Sequence, residues 1–180
     1  MNKQWAVVAV VIAALGLGAS ALVKFGPERT GATVGATAPN FRVIDLATGD
    51  TVSLREHYKG HVTLVNIWAT WCVPCKVEMP SMQKLNEAYG PKGLKIAAVS
   101  IDEGDPTDVR NFAAQLGLTF DVLQDRSGAI QQAYQTTGVP ESFLLDKDGV
   151  IVKRVIGAHD WNSAVNRDLV QRLLAANGGA

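Results

Sequence analysis

Cysteine is scarce, with two in 180 residues. That excludes the disulfide-stapled scaffolds of small secreted domains. A chain that is 47% hydrophobic can bury a core without staples. An excess of charge of one sign is also missing: seventeen Lys and Arg balance seventeen Asp and Glu. With no block of like charge and no low-complexity tract, nucleic acid and an anionic membrane surface are excluded as principal partners. Histidine is rare, and His57, His61 and His159 show no paired ligand spacing. Each reads as a surface residue, and neither a metal nor a cofactor is expected.

A long apolar run opens the chain. From Trp5 to Val23 there is no charge, and Lys24 ends the run. At about 1.5 Å per residue such a helix just crosses a hydrocarbon core. Residues 1–24 are therefore expected to form a transmembrane signal anchor. The alternative is a cleaved signal peptide, with Ala19-Ser20-Ala21 as the small-residue site. For a bacterial chain either reading exports the remaining residues, and the expectation is a single-pass inner-membrane protein with its domain in the periplasm. Residues 25–37, rich in Gly, Ala, Thr and Pro, read as a linker. A single folded domain is expected over 38–180.

Within it, Thr48-Gly49-Asp50 between two short runs predicts a β-hairpin over Phe41–Leu54. Val62–Trp68 and Leu94–Ile101 are continuous apolar runs, the mark of strands buried on both faces. Helices are predicted from the Cys72 region to Tyr89, over Pro106–Leu116, over Ala129–Gln135 and over Asn162–Ala175, and Pro80 should kink the first. A short strand precedes the third helix. Ser142–Leu145 and Val150–Ile156 are strands joined by the Asp146-Lys147-Asp148-Gly149 turn. The order predicts an α/β domain with a central mixed sheet flanked by helices.

The chemistry lies in Trp71-Cys72-Val73-Pro74-Cys75, at the start of a helix that follows a buried strand. Free N–H groups and the positive dipole end stabilise a thiolate there. Cys72 is expected to sit exposed with a lowered pKa. Cys75, one turn along, is placed to attack a mixed disulfide at Cys72. Pro74 suits the first turn, where its missing N–H costs nothing. A structural role is weak because the closed loop is too small to stabilise much. One C-x-x-C supplies two of the four ligands a structural zinc needs. Haem attachment requires His where Lys76 stands, and a peroxiredoxin requires Thr where Ala69 stands.

These residues carry a resemblance. Ala69-Thr70-Trp71-Cys72-Val73-Pro74-Cys75-Lys76 after Val65-Asn66-Ile67-Trp68 resembles the active-site signature of the thioredoxin superfamily. Cys72 through Pro80 is similar to the W-C-x-P-C-x-x-E-x-P pattern of the TlpA/ResA/CcmG group of membrane-anchored periplasmic thioredoxins. The likeness spans most of 38–175, including the N-terminal hairpin and an insertion over about Asp102–Tyr134. It implies a thioredoxin fold with that hairpin and an α/β insertion after the second core strand. It also implies a thiol–disulfide oxidoreductase working through a Cys72–Cys75 dithiol/disulfide pair.

The matched positions imply more. Gly138-Val139-Pro140-Glu141 matches the cis-proline loop, so Val139 and Pro140 should lie beside the cysteines and offer backbone to a substrate strand. Where thioredoxins carry a buried Asp this chain has Asn66, and Glu78 is implied as the replacement carboxyl, serving as acid or base. Glu141 is a second candidate beside the substrate. Trp71 should form an apolar platform for a partner, and Trp68 should pack into the core. Asp102 and Glu103 read as surface residues. The implied partners are proteins with thiols or disulfides, such as apocytochrome c or copper-centre proteins, and a membrane electron donor of the DsbD/CcdA type. The alternative is a copper carrier using Cys72, Cys75 and Met79 or a histidine, since Cu(I) favours thiolates. Copper carriers of this fold, however, space their cysteines one residue wider and add a dedicated His, which is not found here.

Overall fold

The computed structural model describes residues 31–176 of the chain, together with residue 8 and residues 11–16. The expected anchor lies mostly outside the described residues. Its described part, 11–16, is helical, and among the described residues no helix is long and apolar enough to cross a membrane.

The strands are β1 Arg42–Asp45, β2 Thr51–Ser53, β3 Val62–Trp68, β4 Leu94–Ser100, β5 Asp121–Gln124, β6 Glu141–Leu145 and β7 Ile151–Ile156. The helices are α1 Leu54–His57, α2 Val73–Tyr89, α3 Pro106–Gln115, α4 Ala129–Ala133 and α5 Ala164–Ala175. One sheet runs in the order β2-β1-β5-β4-β3-β6-β7. β3 pairs parallel with β4 and antiparallel with β6, and β4 pairs parallel with β5. This is the mixed sheet of the thioredoxin fold. The hairpin β1–β2 is joined to it through antiparallel pairing of β1 with β5, the strand of the insertion.

Every residue of β3 is buried, as its unbroken apolar run requires. Successive side chains point to opposite faces, so Leu64 and Trp68 enter one apolar layer with Met79, Met82 and Leu85 of α2 and Val170 of α5. Val65 and Ile67 enter the other, with Val43, Leu54, Tyr134 and Phe143. Asn66 stands among the first set and is fully buried. Trp68 is likewise wholly buried, against the ring of Phe112 at 5.4 Å between centroids.

One boundary moves. Part of the segment expected as linker belongs to the domain: Gly35 donates to the carbonyl of Ile151, Ala38 to that of Gly149, and Thr37 bridges to Val150. Ala32 and Ala36 are buried. The small residues that made this stretch read as linker are what let its backbone approach the edge of the sheet.

Candidate active site

β3 ends at Trp68, and three residues of turn carry the chain to Cys72, the N-cap of α2. Pro74 stands in the first turn. Cys72 and Cys75 are joined in a disulfide. The N–H of Cys75 donates to Cys72 Sγ at 3.1 Å, so the sulfur itself caps the helix. Such a donor and the dipole end both favour negative charge on this atom. Cys72 differs from the expectation in exposure: it is 4% exposed, and Cys75 is fully buried. Capping tucks the sulfur against the helix and leaves a sliver of Cys72 as the accessible part of the pair. Around it stand Trp71, Val73 and Val77, each about two-thirds exposed. Val73 and Val77 are one helical turn apart, so the rim is apolar.

Glu78, one turn beyond Cys75, is 2% exposed. Asn66 Nδ2 donates to its Oε1 at 2.8 Å, and the backbone N–H of His159 donates to Oε2 at 3.2 Å. Burial pushes the carboxyl up to about 7, against the pull of those donors. The indole N–H of Trp161 also pulls the group downward, without meeting the geometry of a hydrogen bond to any described residue. Asn66 also donates to Ser142 Oγ at 2.9 Å, tying β3 to β6 beneath the motif. By sequence Asn66 reads only as a lost carboxyl. In the structure it is the donor that orients the replacement.

The Val139–Pro140 bond is cis. Val139 packs on the same apolar cluster as both cysteines, and the carbonyl of Pro140 accepts from Gly157 at 2.8 Å. Glu141 lies elsewhere. As the first residue of β6 it pairs with Ile67, while Ser142 pairs with Asn66. Strand alternation therefore turns Glu141 to the face opposite Glu78. There it is fully buried, ion-paired to Arg154 Nε at 2.5 Å, and it accepts the N–H of Thr137. Its carboxylate is engaged within the fold and not offered to substrate. Arg154 also donates to the carbonyls of Gln135 at 2.9 Å and Ala32 at 3.1 Å. The pair thus fixes the loop before the cis-proline and the strap at Ala32 together.

Two further surface readings are corrected. Asp102 is half-buried and accepts from Thr70 N, Thr70 Oγ1 and Ser100 Oγ at 2.9, 2.7 and 2.6 Å, locking the turn that leads to Cys72. Its place just past a parallel strand adjoining β3 was the available signal, because sites gather at the carboxyl ends of such strands. His159 is half-buried, with Nε2 2.9 Å from Asn166 Nδ2 and 3.4 Å from Lys153 Nζ. Only its backbone reaches Glu78, which no sequence pattern reveals. Glu103 is exposed, as expected.

The arrangement can carry two-electron dithiol chemistry beside a buried carboxyl. The family model described as Redoxin matches residues 33–170. The chain belongs to the Redoxin family. Among relatives of this Redoxin chain, thiol-disulfide oxidoreductase ResA of Geobacillus kaustophilus is 37% identical over 153 residues, covering 84% of each chain. ResA of Bacillus anthracis is 44% identical over 124 residues, 69% of this chain and 70% of that one. Among solved structures, the thioredoxin domain of a thiol-disulfide oxidoreductase from Bacteroides vulgatus superposes with a TM-score of 0.68 at 26% identity, covering 79% of this chain and 98% of that one. This Redoxin-family protein is a thiol–disulfide oxidoreductase of the TlpA/ResA/CcmG type.

Proposed function

We propose that the protein is a reductant of selected protein disulfides, tethered to the outer face of a bacterial inner membrane and working in the periplasm. Its substrates are of the apocytochrome c or copper-centre type, and a membrane donor of the DsbD/CcdA type returns it to the dithiol state. The observation that carries this reading is Glu78, buried one turn from Cys75 between Asn66 and the His159 N–H. A negative neighbour opposes thiolate formation. Destabilising the reduced, thiolate form favours the disulfide, the poise of a protein that gives electrons away. Relatives named thiol-disulfide oxidoreductase support dithiol–disulfide exchange as the chemistry on which this direction is proposed.

In the forward reaction the Cys72 thiolate attacks one sulfur of the substrate disulfide, and the other leaves as a thiolate that takes a proton. Glu78 then accepts the proton of the Cys75 thiol. Cys75 attacks Cys72 Sγ, the mixed disulfide breaks, and the second substrate thiol departs. Two electrons have passed to substrate, and Cys72–Cys75 is oxidised. Val139, packed on the same apolar cluster as the cysteines, offers its backbone to the substrate strand. Apolar Trp71 receives the partner's surface.

The cysteine roles are tested by trapping. Cys75→Ser should accumulate mixed disulfides with substrate proteins through Cys72, visible on non-reducing gels, and Cys72→Ser should accumulate almost none. Equal trapping by both variants would overturn the assignment.

A further inference from the structure

A second opening lies on the face of the sheet away from α2, at the end of β3 opposite the cysteines. It is a cavity of about 360 Å³ bounded by α1, the start of β3, the end of β6 and Tyr134. That volume is within the range of about 300–1,000 Å³ typical of small-molecule sites. Leu54, Val65 and Leu145 give it apolar walls.

Two tyrosines line it, and they differ in how their hydroxyls are satisfied. Tyr58 donates its hydroxyl to Asp121 Oδ2 at 3.0 Å. Tyr134 is 1% exposed, its ring fixed edge-on against Phe143 at 5.1 Å, and its hydroxyl makes no hydrogen bond to any described residue. With no partner among the described residues, the hydroxyl is left to water or to an occupant of the opening, and an occupant that accepts from it would take that water's place. The hydroxyl also lies within the field of Arg55, whose charge favours a negative neighbour. Arg55 Nη2 donates to the carbonyl of Ala38 at 3.2 Å, and its remaining N–H groups are available.

The charged groups around the opening limit the guest. Lys59 and His61 add donors without side-chain bonds to described residues, while Lys147 spends its ammonium on the carbonyls of Leu174 and Ala176. Asp146 Oδ1 is held by the N–H groups of Asp148 and Val150 in its own turn. Glu56, Asp146 and Asp148 offset Arg55, Lys59 and Lys147 in the same lining, so it holds no excess positive charge for a polyanion. We propose that this cavity binds a small monocarboxylate with an apolar body. Its carboxylate accepts from the Tyr134 hydroxyl and the Arg55 guanidinium, and its body lies on Leu54, Val65 and Leu145. The site is separate from the disulfide, and the proposal stands whichever direction electrons flow there.

The test uses the full chain in lipid nanodiscs, with empty nanodiscs as blank and 1-naphthoate as probe, followed by titration calorimetry. Saturable one-to-one binding is expected, at least tenfold tighter than for the neutral isostere 1-naphthylmethanol. Tyr134→Phe and Arg55→Gln should each weaken it at least fivefold, leaving disulfide exchange at Cys72–Cys75 unchanged. Absence of saturable binding, equal affinity for the two probes, or wild-type affinity in both variants would overturn the site. Arg55 is exposed, so Arg55→Gln decides the matter alone if Tyr134→Phe does not fold.

Discussion

Glu78 is a carboxyl whose proton is worth measuring in two ways. Its folded pKa is raised from 4.5 to about 7, chiefly by burial. The stability gained by keeping it protonated is therefore fully present below about pH 4.5 and lost as pH rises toward 7. The difference is on the order of 3 kcal/mol, from about 1.4 kcal/mol for each pKa unit. Oxidised wild type should lose stability relative to Glu78→Gln across that window, read by denaturant unfolding at a series of pH values. In exchange assays Glu78→Gln should fold normally, react about a hundredfold more slowly near neutral pH, and show lowered thiol pKa values. Coincident pH–rate and thiol-titration curves for the two proteins would remove Glu78 from the proton path. At this scale the sequence was legible where a helix fixes the spacing of side chains, as with the placement of Cys72, Cys75 and Glu78. It was illegible where a backbone N–H acts, as at His159, and for Asp102 only the strand-end place hinted at a role, because its partner Thr70 is remote in the chain.

The elements show why some boundaries matter more than others. β3 matches the sequence pattern residue for residue and α2 ends at the expected Tyr89, because an unbroken apolar run and a capped helix stopped by Gly90-Pro91 leave little choice. β6 begins one residue earlier than its apolar run, at Glu141. That single residue separates a loop carboxylate facing substrate from a strand carboxylate facing Arg154, since register decides the face. Arg154 on β7 then joins the loop before Pro140 to the strap at Ala32. Replacing it with Met leaves Glu141 buried without its cation, which should cost on the order of 3 kcal/mol in unfolding experiments. Pairing Arg154→Met with Glu141→Gln should restore part of that stability. Both proteins should show a raised KM for a protein disulfide with a smaller change in kcat, because the loop before the cis-proline loses its hold while the cysteines do not. An unchanged KM would show that the loop keeps its shape without the pair.

For the molecule as a whole, sheet order was the least legible property. Local patterns predict strands and helices, but pairing of β1 with β5 across the insertion depends on contacts far apart in the chain. The start of the domain was misplaced for a related reason: composition alone cannot distinguish a Gly/Ala-rich linker from a Gly/Ala-rich strap packed on an edge. The proposed tether has a direct check. A reporter active only in the periplasm, fused in place of residues 31–180, should be active, and the full-length protein should stay with membranes after a high-salt wash. A soluble form beginning near Leu22 would instead indicate a cleaved signal.

The apolar rim of Trp71, Val73 and Val77 has a kinetic side as well. The chain is electrically balanced, and the nearby ammonium, that of Lys76, lies 5.3 Å over the ring of Phe112. Such a face exerts little long-range pull, so encounters with partners proceed at the unsteered rate of roughly 10⁵–10⁶ M⁻¹s⁻¹ and vary little with ionic strength. Discrimination among disulfides must then arise after collision, in how long each partner dwells on that rim before its sulfur reaches Cys72.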